Sequence, residues 1–137
     1  MDELDIKIVK AISENSKLSI RDLAKLCGVS PGTIHNRLME MEKSKGIISY
    51  TARINYRKFN MEDAIIGFDI TPETYIKTVE EIKKLNFVVQ LYTTTGDHGA
   101  IAYIICNENE TSQCVRALEK IQGVRNVYPS LIQNILK

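Results

Sequence analysis

A glycine and a Ser-Pro pair, close together in the sequence, most constrain how the first part of this chain folds. Gly28 follows a run of helix-forming residues and is free to adopt the positive φ that ends a helix. Ser30 and Pro31 follow as an N-cap hydroxyl and the residue type favoured at the first helical position. The four-residue segment 27–30 therefore has the length of a helix-turn-helix connection.

Apolar spacing predicts three helices around this turn. Residues 2–14 carry acidic side chains in the first turn and apolar residues four positions apart, namely Leu4, Ile8 and Ile12. Ser19 and Asp22 form a capping box for a second helix, which ends at Gly28. A third helix starts at Pro31 and ends at Gly46, with an inward stripe of Ile34, Leu38, Met41 and Lys45.

The pattern changes after the third helix. Residues 47–54 are rich in β-branched and aromatic side chains and predict a strand, with a domain boundary near residue 61. Beyond it we predict strands at 64–71, 87–95, 100–106 and 124–128 and helices at 72–86 and 111–122. This βαββαβ order indicates an α+β chain whose second part is ferredoxin-like, with both helices on one face of an antiparallel sheet. Residues 130–137 predict a further strand or an exchanged arm.

The charge of the chain is divided unevenly between its two parts. The net charge is only +1, which by itself argues against a nucleic-acid partner. Residues 1–60, however, carry 11 Lys and Arg against 7 Asp and Glu, whereas residues 61–137 carry 7 against 10. The basic excess therefore belongs to the part that contains the helix-turn-helix.

Composition excludes several functional classes. The three cysteines are far apart and the histidines number two, so the sequence predicts neither a disulfide framework, nor a metal site, nor a cofactor, nor catalytic residues. The chain has no apolar run of membrane-spanning length, and Met1 is followed by acidic residues rather than a signal peptide. We therefore expect a cytoplasmic protein.

The outward face of the third helix carries side chains suited to DNA. Thr33, His35 and Asn36 are short or planar polar groups that fit base edges. Ser30 and the helix N-terminus are expected near a phosphate, with further phosphate contacts from Lys25, Arg37, Lys43 or Arg53. A merely solvated face is the alternative. Arg37 also borders the buried stripe, so pairing with Asp5 or Glu42 is an equal possibility for it.

Several segments resemble the Lrp/AsnC family of transcriptional regulators in order and spacing, over essentially the whole chain. They are residues 4–9, 22–30, 37–48, 92–97 and 121–124. The resemblance implies a winged-type helix-turn-helix domain at 1–48, a linking strand and hinge at 49–61, and a dimerisation and effector domain at 62–137. It also implies sheet-to-sheet dimers that assemble into tetramers or octamers, and an amino-acid effector.

The effector loop departs from the family pattern. Gly96 and Asp97 match the family's Gly-Asp loop near the effector cleft, but His98 and Gly99 stand where an aromatic and a second acidic residue are usual. The departure puts a standard amino-acid effector in question. Three roles remain open for His98. It contacts a ligand carboxylate, it is a pH-sensitive group at an interface, or it only occupies a turn.

Two rival functions share this architecture. A branch resembling the family consists of sirohaem decarboxylases, but Arg116 and Arg125 are the only arginines in the second part, which makes a poor pocket for a substrate with many carboxylates. The intact helix-turn-helix also argues against an enzyme. The other rival is an architectural protein that compacts DNA with weak sequence preference. The sequence favours a dimeric DNA-binding regulator.

Overall fold

A computed structural model describes residues 2–137, which divide into two compact units, residues 2–53 and Ile54–Lys137. The first unit consists of helices α1 (Glu3–Glu14), α2 (Ile20–Cys27) and α3 (Pro31–Lys43). The second contains a four-stranded sheet and two α-helices. The predicted α+β class, with a helix-turn-helix followed by a ferredoxin-like βαββαβ part, is confirmed.

Local sequence explains where the three helices begin and end. Asp2 and Ser19 each accept a hydrogen bond from the third residue of the following helix, and that residue's carboxylate accepts one in return. Gly28 adopts φ 68° at the end of α2. Its position in the left-handed region turns the chain directly into Ser30, the N-cap of α3.

The three helices share a small core. Ile8, Leu23, Ala24 and Ile34 are buried, one or two from each helix. Each large aliphatic side chain removed from water contributes about 1.5–3 kcal/mol. Because Ile34 anchors α3 in this core, the residues on either side of it in sequence are directed away from the core.

The strand predicted at 47–54 does not form, so the prediction of a linking strand in this segment was wrong. Residues 48–55 are irregular and lead into a 3₁₀ turn at Tyr56–Phe59. Strand propensity makes a segment extended, but a strand also needs a neighbour that satisfies its backbone groups. No strand pairs with this segment in the described part of the chain.

The second unit follows the predicted order with shifted boundaries. Its elements are β1 (Met61–Ile70), a 3₁₀ turn (Pro72–Thr74), α4 (Tyr75–Lys83), β2 (Val88–Thr93), β3 (Ala100–Asn107), α5 (Thr111–Glu119) and β4 (Val124–Leu131). The sheet order is β2-β3-β1-β4, and every pair is antiparallel. The first strand therefore lies in the interior of the sheet, paired with both the third and the fourth.

Alternation along β1 separates the two faces of the sheet. Ala64, Ile66 and Phe68 are fully buried, in one core with Ile82 of α4 and Leu118 of α5. Both helices therefore pack on the same face, as predicted. The other face, here termed the open sheet face, is formed by residues that share a register across the strands, namely Ile65, Gly67, Tyr92, Ile101, Tyr103 and Tyr128.

The chain end does not form the further strand that was one of the two predictions for residues 130–137. β4 extends to Leu131, and residues 132–137 are irregular. The Ile132 amide donates to the backbone carbonyl of Asp63, and the Ile132 carbonyl accepts from Arg57. Arg57 also forms an ion pair with the buried Asp63 carboxylate at 2.5 Å, which in turn accepts a hydrogen bond from Tyr103. The chain end is thereby held to β1 instead of adding to the sheet.

Candidate nucleic-acid interface

The N-terminus of α3 is built around the Ser30 side chain. Its Oγ accepts a hydrogen bond from the Thr33 amide at 3.2 Å and lies 2.9 Å from the Thr33 hydroxyl. The Ser30 side chain is exposed, whereas Thr33 is half-buried. The two hydroxyls are therefore held together at the helix end, where free backbone N–H groups and the helix dipole favour an anion.

His35 and Asn36 occupy the outward side of α3. Both are exposed, and they follow Ile34, which is fully buried. An imidazole and an amide carry the hydrogen-bond donors and acceptors that base edges can pair with. The geometry thus gives one polar surface composed of Ser30, Thr33, His35 and Asn36.

Arg37 is drawn away from that surface by the first helix. Its guanidinium forms ion pairs with Asp2 at 2.7 Å and with Asp5 at 3.0 Å. A hydrogen bond from the Asp5 amide and then the Arg37 guanidinium lower the pKa of the Asp2 carboxyl, and both acids raise the pKa of Arg37. Of the partners predicted for Arg37, Asp5 is therefore the observed one. Glu42 accepts a hydrogen bond from the Tyr50 hydroxyl instead.

The remaining basic candidates lie at different places in the first unit. Lys25 is exposed in the last turn of α2, Lys43 is exposed in the last turn of α3, and Arg53 is exposed after α3. Asn36 and Lys43 are seven positions apart and so share one side of α3, about 10 Å apart along its axis. The exposed acid Glu40 lies between them on the same side, a feature that the sequence prediction did not take into account.

The predicted effector residues occupy the turn between β2 and β3. Gly96 has φ 103°, Asp97 is exposed, and His98 is half-buried. The His98 ring lies over Gly67, so close that an added Cβ would overlap it, and its centroid is 5.2 Å from that of Tyr128. Its Nδ1 is buried and has no hydrogen-bond partner among residues 2–137. His98 is thus packed on the sheet.

A carboxylate that the sequence analysis did not single out lies beside this turn. Asp69 of β1 accepts hydrogen bonds from the side-chain Nδ2 of Asn126 at 2.9 Å and from the backbone N–H of Gly99 at 3.0 Å. These two bonds are the main causes that lower the pKa of the Asp69 carboxyl. The alternation of Ile66 and Phe68 with Asp69 along β1 was the available signal, because it directs Asp69 to the open sheet face.

Residues 2–137 contain no group of three or more His, Cys, Asp or Glu arranged to hold a metal ion. Each helix within that range is too short or too polar to span a bilayer.

A capped helix-turn-helix that presents polar side chains on its third helix, followed by a ferredoxin-like unit, defines a DNA-binding protein of the helix-turn-helix class. Residues 1–48 match the family model described as "Winged helix-turn-helix DNA-binding". The whole chain is 33% identical to the HTH-type transcriptional regulator LrpA of Pyrococcus horikoshii, over 99% of that protein. It is 30% identical to the HTH-type transcriptional regulator Ptr1 of Methanocaldococcus jannaschii, over 93% of that protein.

A solved structure shows the same fold over the full chain. A transcriptional regulator of Neisseria meningitidis in complex with L-Met superposes with a TM-score of 0.73 at 20% identity, covering all of this chain and 92% of that one. From the identity to its relatives, the chain belongs to the Lrp/AsnC family of transcriptional regulators.

Proposed function

We propose that this protein is a cytoplasmic regulator that binds promoter DNA as a dimer through α3, with residues 1–48 as the DNA-binding domain. The observation that carries the proposal is the exposed polar surface on α3, on a unit with excess positive charge. In a dimer, two such helices enter successive major grooves about 34–36 Å apart. Asn36 and His35 contact bases, and Ser30 contacts a phosphate. Thr33, which the sequence assigned to the bases, is proposed to join Ser30 at the phosphate instead, because its hydroxyl lies 2.9 Å from Ser30 Oγ.

The proposal places the phosphate contacts on Lys25, Lys43 and Arg53. Lysine and arginine at the rim of a recognition helix neutralise phosphates regardless of sequence. Arg37 is assigned a different role, because its two ion pairs with α1 already engage the guanidinium. It orients α3 on α1 and so positions the polar surface.

The open sheet face supports dimerisation through residues 62–137, with 49–61 as the hinge. Ile65 is 44% exposed and Tyr128 is 60% exposed, and both belong to one face that the helices leave uncovered. Contiguous apolar surface of this kind usually marks an interaction site. A second copy presents the same face, so two sheets pack against each other with two-fold symmetry. Further assembly into tetramers or octamers extends this proposal.

An amino acid or a related small molecule is the proposed effector, held near Gly96, Asp97 and His98. The neighbour from Neisseria meningitidis was solved with L-Met, which supports this class of ligand. Asp69 beside Gly99 supplies a second negative charge next to that of Asp97, in place of the second acidic residue that the loop lacks, and is suited to an α-ammonium group. Thermal-shift screening of the twenty amino acids tests the proposal, since a ligand that binds only the folded form raises the melting temperature. The absence of any shift would reject it.

Gel shift and footprinting on the promoter region of the protein's own gene test the DNA-binding function. We expect saturable binding whose affinity falls steeply as salt rises, because phosphate contacts release counterions. The footprint of a regulator covers one or a few dimer sites, whereas an architectural protein protects long tracts with little sequence preference. Absence of binding at low salt would reject both.

A further inference from the structure

Two cysteines meet in the core of the second unit. Cys106 lies near the end of β3 and Cys114 in the first half of α5, on the helix-covered face of the sheet. Their Sγ atoms are 2.7 Å apart, with the Cys106 thiol donating to Cys114. A disulfide bond is about 2.05 Å long, so the two sulfur atoms need to approach by less than about 0.7 Å to form one.

We propose that Cys106 and Cys114 are a redox-responsive thiol pair that oxidises to an intrachain disulfide and staples α5 to β3. Both thiols are free in this structure. The pair is independent of the DNA-binding surface in the first unit. It also lies on the opposite side of the sheet from the open sheet face, so dimerisation through that face does not cover it.

The two thiols differ in exposure, and that difference orders the reaction. Cys106 is only 5% exposed, and burial raises the pKa of its thiol to about 12. It therefore remains protonated near neutral pH. Cys114 is half-buried and is the sulfur that a dissolved oxidant reaches first. Cys114 therefore reacts with the oxidant first, and Cys106 then attacks the resulting mixed disulfide.

The oxidant that we name is a low-molecular-weight disulfide, RSSR. The Cys114 thiolate attacks one sulfur of RSSR, forms a mixed disulfide and releases RS⁻, which takes up a proton to give RSH. The Cys106 sulfur then attacks Cys114 Sγ and expels the second RS⁻, which receives the Cys106 proton. Two protein thiols lose two electrons, and one RSSR becomes two RSH.

The resulting bond joins residues eight positions apart and fixes the first turns of α5 on the sheet. A cross-link restricts the unfolded chain and so stabilises the folded one when its geometry is unstrained. We expect the melting temperature of the full chain to rise by several degrees on oxidation and to return to its starting value when dithiothreitol reduces the bond.

Oxidised glutathione tests the proposal on the full-length Cys27→Ser variant, which retains only the two thiols in question. After oxidation, denaturation and alkylation, we expect no alkylated cysteine and no glutathione adduct. Cleavage after Glu108 and Glu110 separates the two cysteines in sequence, so a glutamate-specific protease should release two peptides that remain joined until reduction. Two alkylated thiols, a stable adduct on Cys114 or linked chains would each overturn the proposal.

A second substitution gives the matched control. In the Cys27→Ser/Cys114→Ser variant, the one remaining thiol, the buried Cys106, should still be alkylated on denaturation after treatment with oxidised glutathione. The melting temperature of this variant should not change on addition of dithiothreitol. The Cys114 substitution affects the less buried partner, so this variant is expected to fold, and circular dichroism checks that it does. A glutathione adduct on Cys106 in the folded variant would contradict the proposed order of attack.

Discussion

Asn36 and Lys43 share one side of α3 but are assigned different tasks, and alanine substitution separates them. Asn36→Ala should reduce the preference for the operator over unrelated DNA by roughly 10- to 100-fold, because a bidentate base contact contributes about 1–3 kcal/mol to discrimination. Lys43→Ala should weaken binding to all sequences alike and reduce the slope of log K against log salt by about one. Titration of operator and random duplexes at several salt concentrations measures both effects.

Glu40 provides the opposite-sign control for Lys43. It lies between Asn36 and Lys43 on the same side of α3, where its carboxylate repels phosphate. Glu40→Gln should therefore strengthen binding to operator and random DNA by a similar factor. An equal loss of discrimination in the Asn36 and Lys43 variants, or weaker binding by the Glu40 variant, would contradict the arrangement of α3 proposed here.

Arg37 should behave as a stability residue. The pKa of Asp2 is lowered in the folded state, so its contribution to stability is present above its unfolded pKa, about 3.8, and is lost as pH falls through the folded value. Arg37→Gln should therefore lower the melting temperature at pH 7 and differ progressively less from the unmodified chain below about pH 4. Calorimetry across pH measures this. If Arg37→Gln instead changed the slope of log K against log salt for DNA binding and left the stability unchanged, Arg37 would have to be assigned to the phosphate contacts.

Among the secondary structure elements, β1 carries a close contact that is open to test. An alanine Cβ at Gly67 would overlap the His98 ring, which would have to move. Gly67→Ala should cost about 1–3 kcal/mol of unfolding free energy, and less in a His98→Ala background. Gly99→Ala is the control, because its Cβ meets Asp69 at an ordinary 3.5 Å. Denaturant titration of the four variants measures the coupling, and equal costs in both backgrounds would refute it.

Elements determined by neighbouring residues were predictable, and those determined by distant partners were not. The capping box at Ser19 and the turn at Gly28 depend on a few adjacent side chains, and both occur as predicted. Residues 47–54 have strand-forming side chains but lack a paired strand. Likewise, the Arg37–Asp2 ion pair depends on how α1 packs against α3, which no local pattern encodes. The positions of Asp69 and His98 around Gly67 depend on sheet register in the same way.

For the whole molecule, the open sheet face should determine the oligomeric state. Ile65→Asp places a charge in the middle of that face and should shift the protein towards monomers in analytical ultracentrifugation. Ile76→Asp is the matched control, because Ile76 is 80% exposed on α4 and lies outside the proposed interface. The Ile76→Asp variant should still sediment as a dimer or a larger assembly. Dissociation by the Ile76 variant alone would place the interface on α4.

The strand order of the second unit has a consequence for how the protein folds. β1 begins at Met61 but pairs with β4, which ends at Leu131, so the sheet cannot be completed until nearly all of the chain is available. Non-local pairing of this kind slows folding, whereas the three helices of the first unit are formed from local contacts. During synthesis the helix-turn-helix should therefore fold first. A nascent chain could acquire its DNA-binding surface before it can pair with a second copy.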